Sequence, residues 1–506
     1  MMNNNGGEDR LSSLPDPILI DILSRLPTNT AATTAILSPR WHYLWTHITS
    51  IDINCRKFTT SIDKFADIDK VFQRLASPLI NSFTLRGCDR SRGSEWLSDL
   101  SKHVNSWLHQ ICDSKVQKIC IKVIERDFKL MNTVTPSIIF QTPALVVLEL
   151  VSELSCFVPD HAIKDDTTTT NFNLPKLKKL SVTVLLFHCN FWGRLIKSCP
   201  SLENLSMVIC HIRQPRKIIA DINISAKNLE RLNLELIGCK LLAKVTIDAP
   251  SLKYLSRFKL GIYRLVNLES LKAILKYCSL LETLILTFDL SKDQNNIDDD
   301  YIIDISAPNL KALVINSTYV SSFLIKKFVI DTPLLEEIEI KDCIASYCFV
   351  ETLSYLKRAS IVFRDSIDRN CRFKQGNALY TLIPVLFRGM SNANYFKLKG
   401  GLAIYNNALF PVDANVWSLF RNLTHLRLSL SKTVINWGSA IPLCLLPKLK
   451  KIDLLKINII GGYNDANLVQ VILSNAHVLE KLYISCIASK NSNLGDYKKK
   501  PITEGI

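Results

Sequence analysis

Residues 11–45 read LSSLPDPILIDILSRLPTNTAATTAILSPRWHYLW, and this stretch predicts a small helical unit near the start of the chain. Asp16 is predicted to cap the first helix, with Pro17 at the first helical position, where the missing N–H is not needed. Pro27 is predicted to end this helix. Apolar residues recur between these points at helical spacing and form one stripe, which consists of Ile18, Leu19, Ile22, Leu23 and Leu26.

Two more helices are predicted in the same stretch. Asn29 or Thr30 can cap an alanine-rich helix, and Ser38 can cap a third helix that starts at Pro39. The apolar face of the third helix carries Trp41, Leu44 and Trp45. Because about 40 residues cannot bury this much apolar surface within themselves, the surplus is expected to face the rest of the chain or a partner.

The stretch resembles an F-box of the type that opens plant F-box/leucine-rich-repeat proteins. The matching segments are residues 9–12 (DRLS), 14–16 (LPD), 22–28 (ILSRLPT) and 37–45 (LSPRWHYLW). Asn29 and Pro39 depart from the family, which usually has basic residues at these positions. The alternative is a plain helical subdomain that packs on the repeats, since a motif is a hypothesis until its structural context fits.

A second pattern, L-x-x-L-x-L, recurs through the rest of the chain at a mean spacing of about 28 residues, within the range of leucine-rich repeats. Full copies begin at Leu145, Leu177, Leu202, Leu229, Leu281, Leu310, Leu335, Leu356, Leu423, Leu449 and Leu479, weaker ones at Leu252 and Ala393, and earlier ones at Ile48, Phe83 and Val116. Each copy predicts one short strand, and stacked copies predict a parallel sheet. Helical apolar spacing is also present between copies, at residues 191–199, 265–278, 378–390 and 467–475.

The predicted fold class is α/β: an N-terminal three-helix F-box followed by a leucine-rich-repeat solenoid, with parallel strands on the concave face and helices and loops on the convex face. The resemblance to the plant family extends into the repeats, through residues 76–88, 104–123, 142–154, 174–182 and 195–210. Residues 420–486 resemble the FBD module that often ends such proteins. The expected divisions are a disordered N-terminus at 1–8, an F-box at 9–50, leucine-rich repeats at 51–414, FBD-like terminal repeats at 415–486 and a tail at 487–506.

The composition predicts a folded intracellular protein. Of the 506 residues, 47% are hydrophobic and 21% are charged, a balance typical of folded domains. No window of 18 uninterrupted apolar residues predicts a membrane span, and the first ten residues, MMNNNGGEDR, have no apolar core of a secretory signal. Fifteen scattered cysteines fit reduced thiols, so the expected location is the cytoplasm, the nucleus or both.

The sequence offers no catalytic motif and no cofactor or metal site. It contains no G-x-S-x-G, P-loop or H-E-x-x-H pattern, and its histidines do not cluster with other ligand residues. The formal net charge is +16, but the lysines are spread over the chain and no nucleic-acid-binding module accompanies them. We therefore expect neither an enzyme nor a nucleic-acid-binding protein.

The resemblance implies a substrate-recognition subunit of a Skp–cullin–F-box (SCF) ubiquitin ligase. In this role the F-box docks a Skp-type adaptor of the cullin–RING ligase core, and the repeats bind a target protein whose identity the sequence leaves open. The residues predicted to face the adaptor are Leu14, Pro15, Ile18, Leu23, Leu26, Leu37, Arg40, Trp41 and Trp45. Internal helix packing is the alternative role for each of them. The alternative function is a repeat scaffold or ligand-binding protein that acts without a ligase.

A target surface is predicted on the outward side of the last repeats. Side chains alternate along a strand, so the residues on either side of the second leucine of each copy point away from the core. In the C-terminal copies these positions mix cations with aromatic rings, a composition that fits an acidic partner or, alternatively, an anionic small molecule. The predicted residues are Tyr395, Lys397, His425, Arg427, Lys451, Lys481 and Tyr483. An ordinary solvated face of a basic protein is the other interpretation.

Overall fold

The computed structural model of the chain falls into two compact units, residues 1–252 and 253–506. The residues whose structure is described are 11, 13–54, 64–89, 94–112, 115–124, 132–135, 137–152, 156–159, 172–185, 189–210, 222–237, 245–261, 266–289, 301–317, 325–341, 345–362, 384–400, 415–430, 444–458 and 472–487.

The first unit opens with the three predicted helices. They are α1 (Asp16–Ser24), α2 (Thr28–Thr33) and α3 (Pro39–Leu44), with 3-10 turns at Thr34–Ile36 and Trp45–His47. One hydrophobic core holds them together, and its buried members are Leu19, Leu23, Ala31, Trp41, Leu44, Trp45 and Ile48. The three-helix prediction is confirmed.

The cap of α1 lies one residue earlier than predicted. Pro15 is the capping residue, and its carbonyl accepts the N–H groups of Ile18 and Leu19 at 3.0 and 3.2 Å. The Asp16 side chain makes no capping bond, because its carboxylate accepts the Nε–H of Arg40 from α3 at 2.8 Å. The predicted cap therefore joins two helices instead of starting one.

At the other two helices, the predicted caps of α2 are wrong and the predicted cap of α3 is confirmed. α2 begins at Thr28 with Pro27 as its capping residue, so Asn29 and Thr30 lie inside the helix and the predicted caps are wrong. Ser38 does cap α3, since its hydroxyl accepts the N–H of Trp41 at 3.5 Å. A proline already restricts φ, which explains why it replaces a side-chain cap at α2.

The helical part is bonded to the first strand through side chains. The Thr28 hydroxyl, fully buried, accepts the backbone N–H of Asp52 at 2.8 Å. The Ser24 hydroxyl accepts the backbone N–H of Thr49 at 3.0 Å. The three-helix part is therefore continuous with the first repeat.

In the ranges that the structure describes, the first unit continues with a parallel sheet and three more helices. Its strands are β1 (Ser50–Asn54), β2 (Ser82–Asp89), β3 (Lys118–Ile124), β4 (Asn132–Thr135), β5 (Val147–Ser152), β6 (Cys156–Pro159), β7 (Lys179–Leu185), β8 (Asn204–Cys210), β9 (Ile222–Ser225), β10 (Arg231–Ile237) and β11 (Val245–Asp248). Its helices are α4 (Lys64–Arg74), α5 (Ser94–Cys112) and α6 (Cys189–Lys197), with a 3-10 turn at Ser137–Gln141. Within this unit the strand order of the main sheet is β1-β2-β3-β5-β7-β8-β10.

The second unit repeats the design. Its strands are β12 (Tyr254–Gly261), β13 (Thr283–Asp289), β14 (Tyr301–Ser306), β15 (Ala312–Ser317), β16 (Ile325–Asp331), β17 (Glu337–Lys341), β18 (Ser346–Phe349), β19 (Arg358–Val362), β20 (Tyr395–Gly400), β21 (His425–Leu430), β22 (Lys451–Asn458) and β23 (Lys481–Ile487). The second unit also contains helix α7 (Val266–Tyr277) and a 3-10 turn at Leu446–Lys448. Shorter helical segments lie at 384–389, Asn415–Ser418 and 472–475. Here the main sheet has the order β12-β13-β15-β17-β19-β20-β21-β22-β23.

The repeat prediction is confirmed strand by strand. Every predicted copy of L-x-x-L-x-L supplies one strand of a main sheet, and neighbouring copies pair in parallel with the second leucines aligned, as Leu313 does with Ile338. The leucines of the pattern point inward: Leu310, Leu313 and Ile315 are all 0% exposed. Each unit is thus a leucine-rich-repeat array.

The return segments differ in part from the prediction of helices and loops. Helices α6 and α7 occupy predicted helical segments, and residues 384–389 and 472–475 are helical where two others are described. Helices α4 and α5 were not predicted. The short parallel ladders β4–β6, β9–β11 and β14–β16–β18, which take the place of helices, were not predicted either. In β9 the period is two, since Ile222 and Ile224 are buried and Asn223 is exposed.

In the second unit, the residue directly after the first leucine is charged in four consecutive repeats. Lys311 lies 3.0 Å from Glu282, and Lys357 lies 2.6 Å from Glu336. The pKa of Glu336 lies below its ordinary value, mainly because Lys357 donates a hydrogen bond to it. The positive charge of Lys311 also lowers this pKa. The sign of the charge therefore alternates along four successive repeats.

The return side also contains a close approach that requires glycine. A Cβ added at Gly389 would overlap the ring of Phe349 at the end of β18.

None of the helices in the described ranges has the length and apolar character needed to cross a membrane.

Candidate functional site

The residues predicted to face an adaptor divide into exposed and buried groups. Ile18 is 47% exposed and Leu37 is 61% exposed, and Pro15 and Arg40 are also exposed. Leu14 and Leu26 are partly buried and pack against the core of the three helices. These six side chains leave apolar or charged surface within reach of a partner.

The remaining three predicted residues are core residues. Leu23, Trp41 and Trp45 are 1%, 4% and 5% exposed, respectively. A side chain that is buried to this extent offers almost no surface to a partner, so these three hold the helices together. Leu23, Trp41 and Trp45 are therefore not part of an exposed docking surface.

The structure adds exposed apolar residues that the sequence analysis did not select. They are Leu11 at 46%, Ile22 at 36% and Ile36 at 87% exposure. We call Leu11, Pro15, Ile18, Ile22, Ile36 and Leu37 the apolar surface of the helical unit. Ile22 follows Ile18 by one helical turn, so the spacing could have identified it. Nothing in the sequence separates Ile36 from a core residue.

Arg40 brings the two parts of this surface together. Its guanidinium donates to the Leu14 carbonyl at 2.6 Å and to the Asp16 carboxylate at 2.8 Å. The start of α3, directly after Leu37, is thereby held beside the start of α1. Because the Arg40–Asp16 pair is exposed, it orients the helices more than it stabilises them.

The residues predicted to bind a target lie on one face of four neighbouring strands. Tyr395, His425, Lys451 and Lys481 occupy one row across β20–β23, each registered with the next. Lys397, Arg427 and Tyr483 occupy the adjacent row, which Asp453 completes. The intervening Phe396, Leu398, Leu426 and Leu428 are buried. We call the seven predicted residues the outer strip.

The cations on this face differ in whether a carboxylate neutralises them. Lys451 has one nearby, since it lies 3.7 Å from Asp453. In the part of the chain that the structure describes, no carboxylate pairs with Lys399, Arg427 or Lys481, and the buried Nε of Arg427 has no acceptor. The face over β20–β23 is therefore cationic, with aromatic rings at two of its positions.

A groove of about 250 Å³ adjoins the outer strip over β15–β20. Its walls carry Glu337, Glu339, Arg358, Tyr395 and Lys397, above the small side chains of Ala312, Val314 and Ser360. Arg358 lies 3.7 Å from Glu337 and 5.4 Å from the centre of the Tyr395 ring. Glu339 is 3.7 Å from Lys397. The charges that line the groove are thus largely matched within the protein.

The corresponding face of the first unit is also internally matched. Glu149 on β5 is 8% exposed and lies 2.6 Å from Lys179 and 3.0 Å from Lys122. Burial opposes its ionisation, but hydrogen bonds from Lys179, Lys122 and the Cys120 thiol outweigh burial and lower the pKa of Glu149 from 4.5 to about 2. Burial and the bond to Glu149 raise the pKa of Cys120 to about 11, so this thiol stays protonated at neutral pH.

No metal-binding cluster is present in the described ranges, where no three His, Cys, Asp or Glu side chains lie close enough to hold an ion. The two surfaces above consist of exposed apolar groups and of exposed or partly buried cations. Such surfaces suit protein docking better than chemistry on a small substrate.

Comparison with known proteins agrees with the geometry. The F-box domain matches residues 11–50, and residues 104–257 match the family described as FBD-associated F-box protein At5g56370, LRR repeats. The predicted resemblance is confirmed: the chain carries an F-box followed by the leucine-rich repeats found in FBD-associated F-box proteins.

Similar curated proteins come from Arabidopsis thaliana. F-box/LRR-repeat protein At1g55660 is 29% identical over 49% of this chain and 64% of its own length. F-box/FBD/LRR-repeat protein At5g22660 is 31% identical over 50% of this chain and 54% of its own length. The chain thus spans between about half and two thirds of these relatives. Among solved structures, the TLR13–ssRNA13 complex matches at 14% identity with a TM-score of 0.31, covering 86% of this chain and 66% of that one.

Proposed function

We propose that this chain, an F-box joined to leucine-rich repeats, is the substrate-recognition subunit of an SCF ubiquitin ligase. In the proposal, residues 9–50 dock the Skp-type adaptor, residues 51–414 and the FBD-like residues 415–486 hold a target protein, and the setting is the cytoplasm or nucleus. The chain performs no chemistry. It raises the local concentration of target lysines near a conjugating enzyme that the ligase core recruits.

One observation supports the adaptor assignment most directly, namely the apolar surface of the helical unit. The core of this unit is complete without Ile18, Ile36 or Leu37, yet these side chains are 47%, 87% and 61% exposed. Exposed apolar groups that lie close together on a small domain mark an interaction site. Arg40 donates to the carbonyl of Leu14, directly before Pro15, so a charged group accompanies the apolar ones, as is usual in protein interfaces.

The outer strip supports the target assignment. It lies in the second unit, whereas the apolar surface lies in the first. Adaptor docking and target binding would therefore use separate residues and can be removed separately. Tyr395, Tyr483 and Arg427 are of the residue types that contribute most to protein interfaces.

The test is recovery of the adaptor and cullin from cells that express the tagged full chain. The double variant Ile18→Asp and Leu37→Asp places two charges in the apolar surface and should abolish recovery, because anchor residues of an interface typically contribute about 2 kcal/mol or more each. The matched control is Ile302→Asp. Ile302 is 54% exposed but lies on β14 in the second unit, so this variant should keep the adaptor.

Two results would contradict the proposal. The first is undiminished adaptor recovery by the double variant, and the second is failure of the unmodified chain to recover any adaptor. In the second case, a target that still co-purifies would support the alternative function, a repeat scaffold that works without a ligase. Hydrogen exchange of β1 amides reports whether the double variant remains folded.

A further inference from the structure

On the outer face of β20–β23, cations outnumber carboxylates. Among the side chains that the structure describes here, the outward-facing charged residues are Lys397, Lys399, Arg427, Lys451 and Lys481, together with one carboxylate, Asp453. Asp453 is 9% exposed and lies 3.7 Å from Lys451, so it is already engaged. A partner that covers this face must supply negative charge, because like charges brought together there would be repelled.

Arg427 lies at the centre of this group. In the register of the sheet, its neighbours are Lys397 on β20 and Asp453 on β22. Its Nε is buried and has no acceptor among the described residues. A buried guanidinium N–H without an acceptor is unfavourable, and a carboxylate or phosphate oxygen from a ligand would satisfy it.

Arg358, on the same face, is in the opposite situation. It lies 3.7 Å from Glu337 and stacks over the Tyr395 ring at 5.4 Å. Glu339 is likewise engaged by Lys341 at 2.7 Å and by Lys397 at 3.7 Å. The charges at β17 and β19 are therefore paired within the protein, and the cations without a carboxylate partner among the described residues lie on β20–β23.

The width of these four strands limits the size of the segment that can bind. Neighbouring strands lie about 4.8 Å apart, so β20–β23 span about 14 Å, which an extended chain crosses in about four residues. A short linear segment therefore fits this region, whereas a large folded surface would also meet the carboxylates of Glu337 and Glu339.

We propose that a short acidic segment of the target protein lies across β20–β23, with one carboxylate or phosphate group bound by Arg427. The segment is identified as part of the target because the proposal rests on the proposed function. Carboxylates and phosphates share the geometry that an arginine fork recognises, so the acidic groups can come from Asp and Glu side chains or from phosphorylated residues.

The experiment measures binding of fluorescent peptides to the purified full chain by polarisation. The probes are a Glu-rich peptide, a phosphoserine peptide of equal net charge and a Gln/Ser peptide of the same length. The acidic probes should bind and the neutral probe should not. Arg427→Gln should weaken binding by about tenfold, as expected for the centre of an interface. Lys481→Gln, at an exposed position, should weaken it by a smaller factor.

The matched control is Arg358→Gln, which removes an equal charge from the same face. Because Arg358 is already paired with Glu337, this variant should change the affinity by less than about twofold. A second control, the triple variant Lys118→Gln, Lys176→Gln and Lys227→Gln, removes exposed charge from the first unit. It tests whether net charge alone accounts for binding.

Equal losses from Arg427→Gln and Arg358→Gln would overturn the inference, and so would equal binding of acidic and neutral peptides. Equal competition by a single-stranded oligonucleotide would also overturn it, since the face would then be a general polyanion surface. The two acidic probes decide between carboxylate and phosphate as the preferred source. Because the chain is tested without adaptor, failure here leaves the adaptor result intact, and the reverse also holds.

Discussion

The Thr28 hydroxyl accepts the backbone N–H of Asp52 at 2.8 Å, and this bond joins the F-box to the first strand of the repeats. Thr28 is fully buried, so water cannot replace it. The Asp52 carboxylate in turn pairs with Arg86 on β2 at 2.7 Å. The F-box is therefore anchored through β1 into the sheet of the first unit.

Removing this hydroxyl should loosen the anchor. Thr28→Val keeps the branched shape but leaves the Asp52 N–H without its acceptor, which should lower stability by about 1 kcal/mol. Hydrogen exchange at the Asp52 amide should speed up accordingly. Thr33→Val is the control, because among the described residues the exposed Thr33 hydroxyl donates to the Thr30 carbonyl of its own helix and not to β1. If both variants exchange alike, the bond does not anchor β1.

The register of the repeats can be tested at two neighbouring positions. Leu313 is 0% exposed, so Leu313→Ala should lower the free energy of unfolding by about 2–5 kcal/mol. Lys311 is 50% exposed in its pair with Glu282, so Lys311→Ala should change stability by less than about 1 kcal/mol. Denaturant titration of both proteins measures the difference. Comparable losses would show that the inward and outward positions are misassigned.

The Glu149 cluster should make stability depend on pH. Glu149→Gln leaves Lys122 and Lys179 without their carboxylate and should destabilise the chain by about 1–3 kcal/mol at neutral pH. Because the pKa of Glu149 is depressed in the fold, its contribution is complete above pH 4.5 and is lost as the pH falls towards about 2. The gap between the melting temperatures of wild type and variant should therefore close over this window. A gap that stays constant with pH would contradict the ion-pair explanation.

Gly389 should tolerate no side chain while Phe349 is in place. Gly389→Ala forces a Cβ into the Phe349 ring and should cost about 1–3 kcal/mol of stability. Adding Phe349→Ala removes the ring and should recover part of that loss, so the two changes should not be additive. A double-mutant cycle by thermal unfolding measures this coupling. Simple additivity would mean that the helix can move away from β18.

The sheets were predictable because the repeat pattern itself specifies how neighbouring strands align. Each L-x-x-L-x-L copy positions inward leucines, and parallel pairing of neighbouring copies follows from their stacking. The same alternation correctly put Arg427 and Lys397 on one outward face. Return segments such as Ile222–Ser225 were missed because a run of four residues carries too little periodicity to separate a strand from a loop.

The F-box was predictable as a motif but not residue by residue. Trp41 and Trp45 lie at motif positions that suggest contact with a partner, yet they fill the core. Ile36 is 87% exposed, although isoleucine is a residue type that usually lies in the core. Apolar character alone cannot tell inside from outside in a unit this small, because most of its residues lie near the surface. The pairing of Arg40 with Asp16 depends on two helices that only the tertiary fold brings together.

The alternating charges of the second unit make the electrostatic result of removing repeats depend on how many are removed. Excising the single repeat that carries Lys311 would bring Glu282 beside Glu336, two like charges where an opposite pair now stands. Excising the two repeats that carry Lys311 and Glu336 would instead bring Glu282 beside Lys357 and keep the attraction. The repeating electrostatic unit of this stretch is therefore a pair of repeats, twice the length of the structural unit.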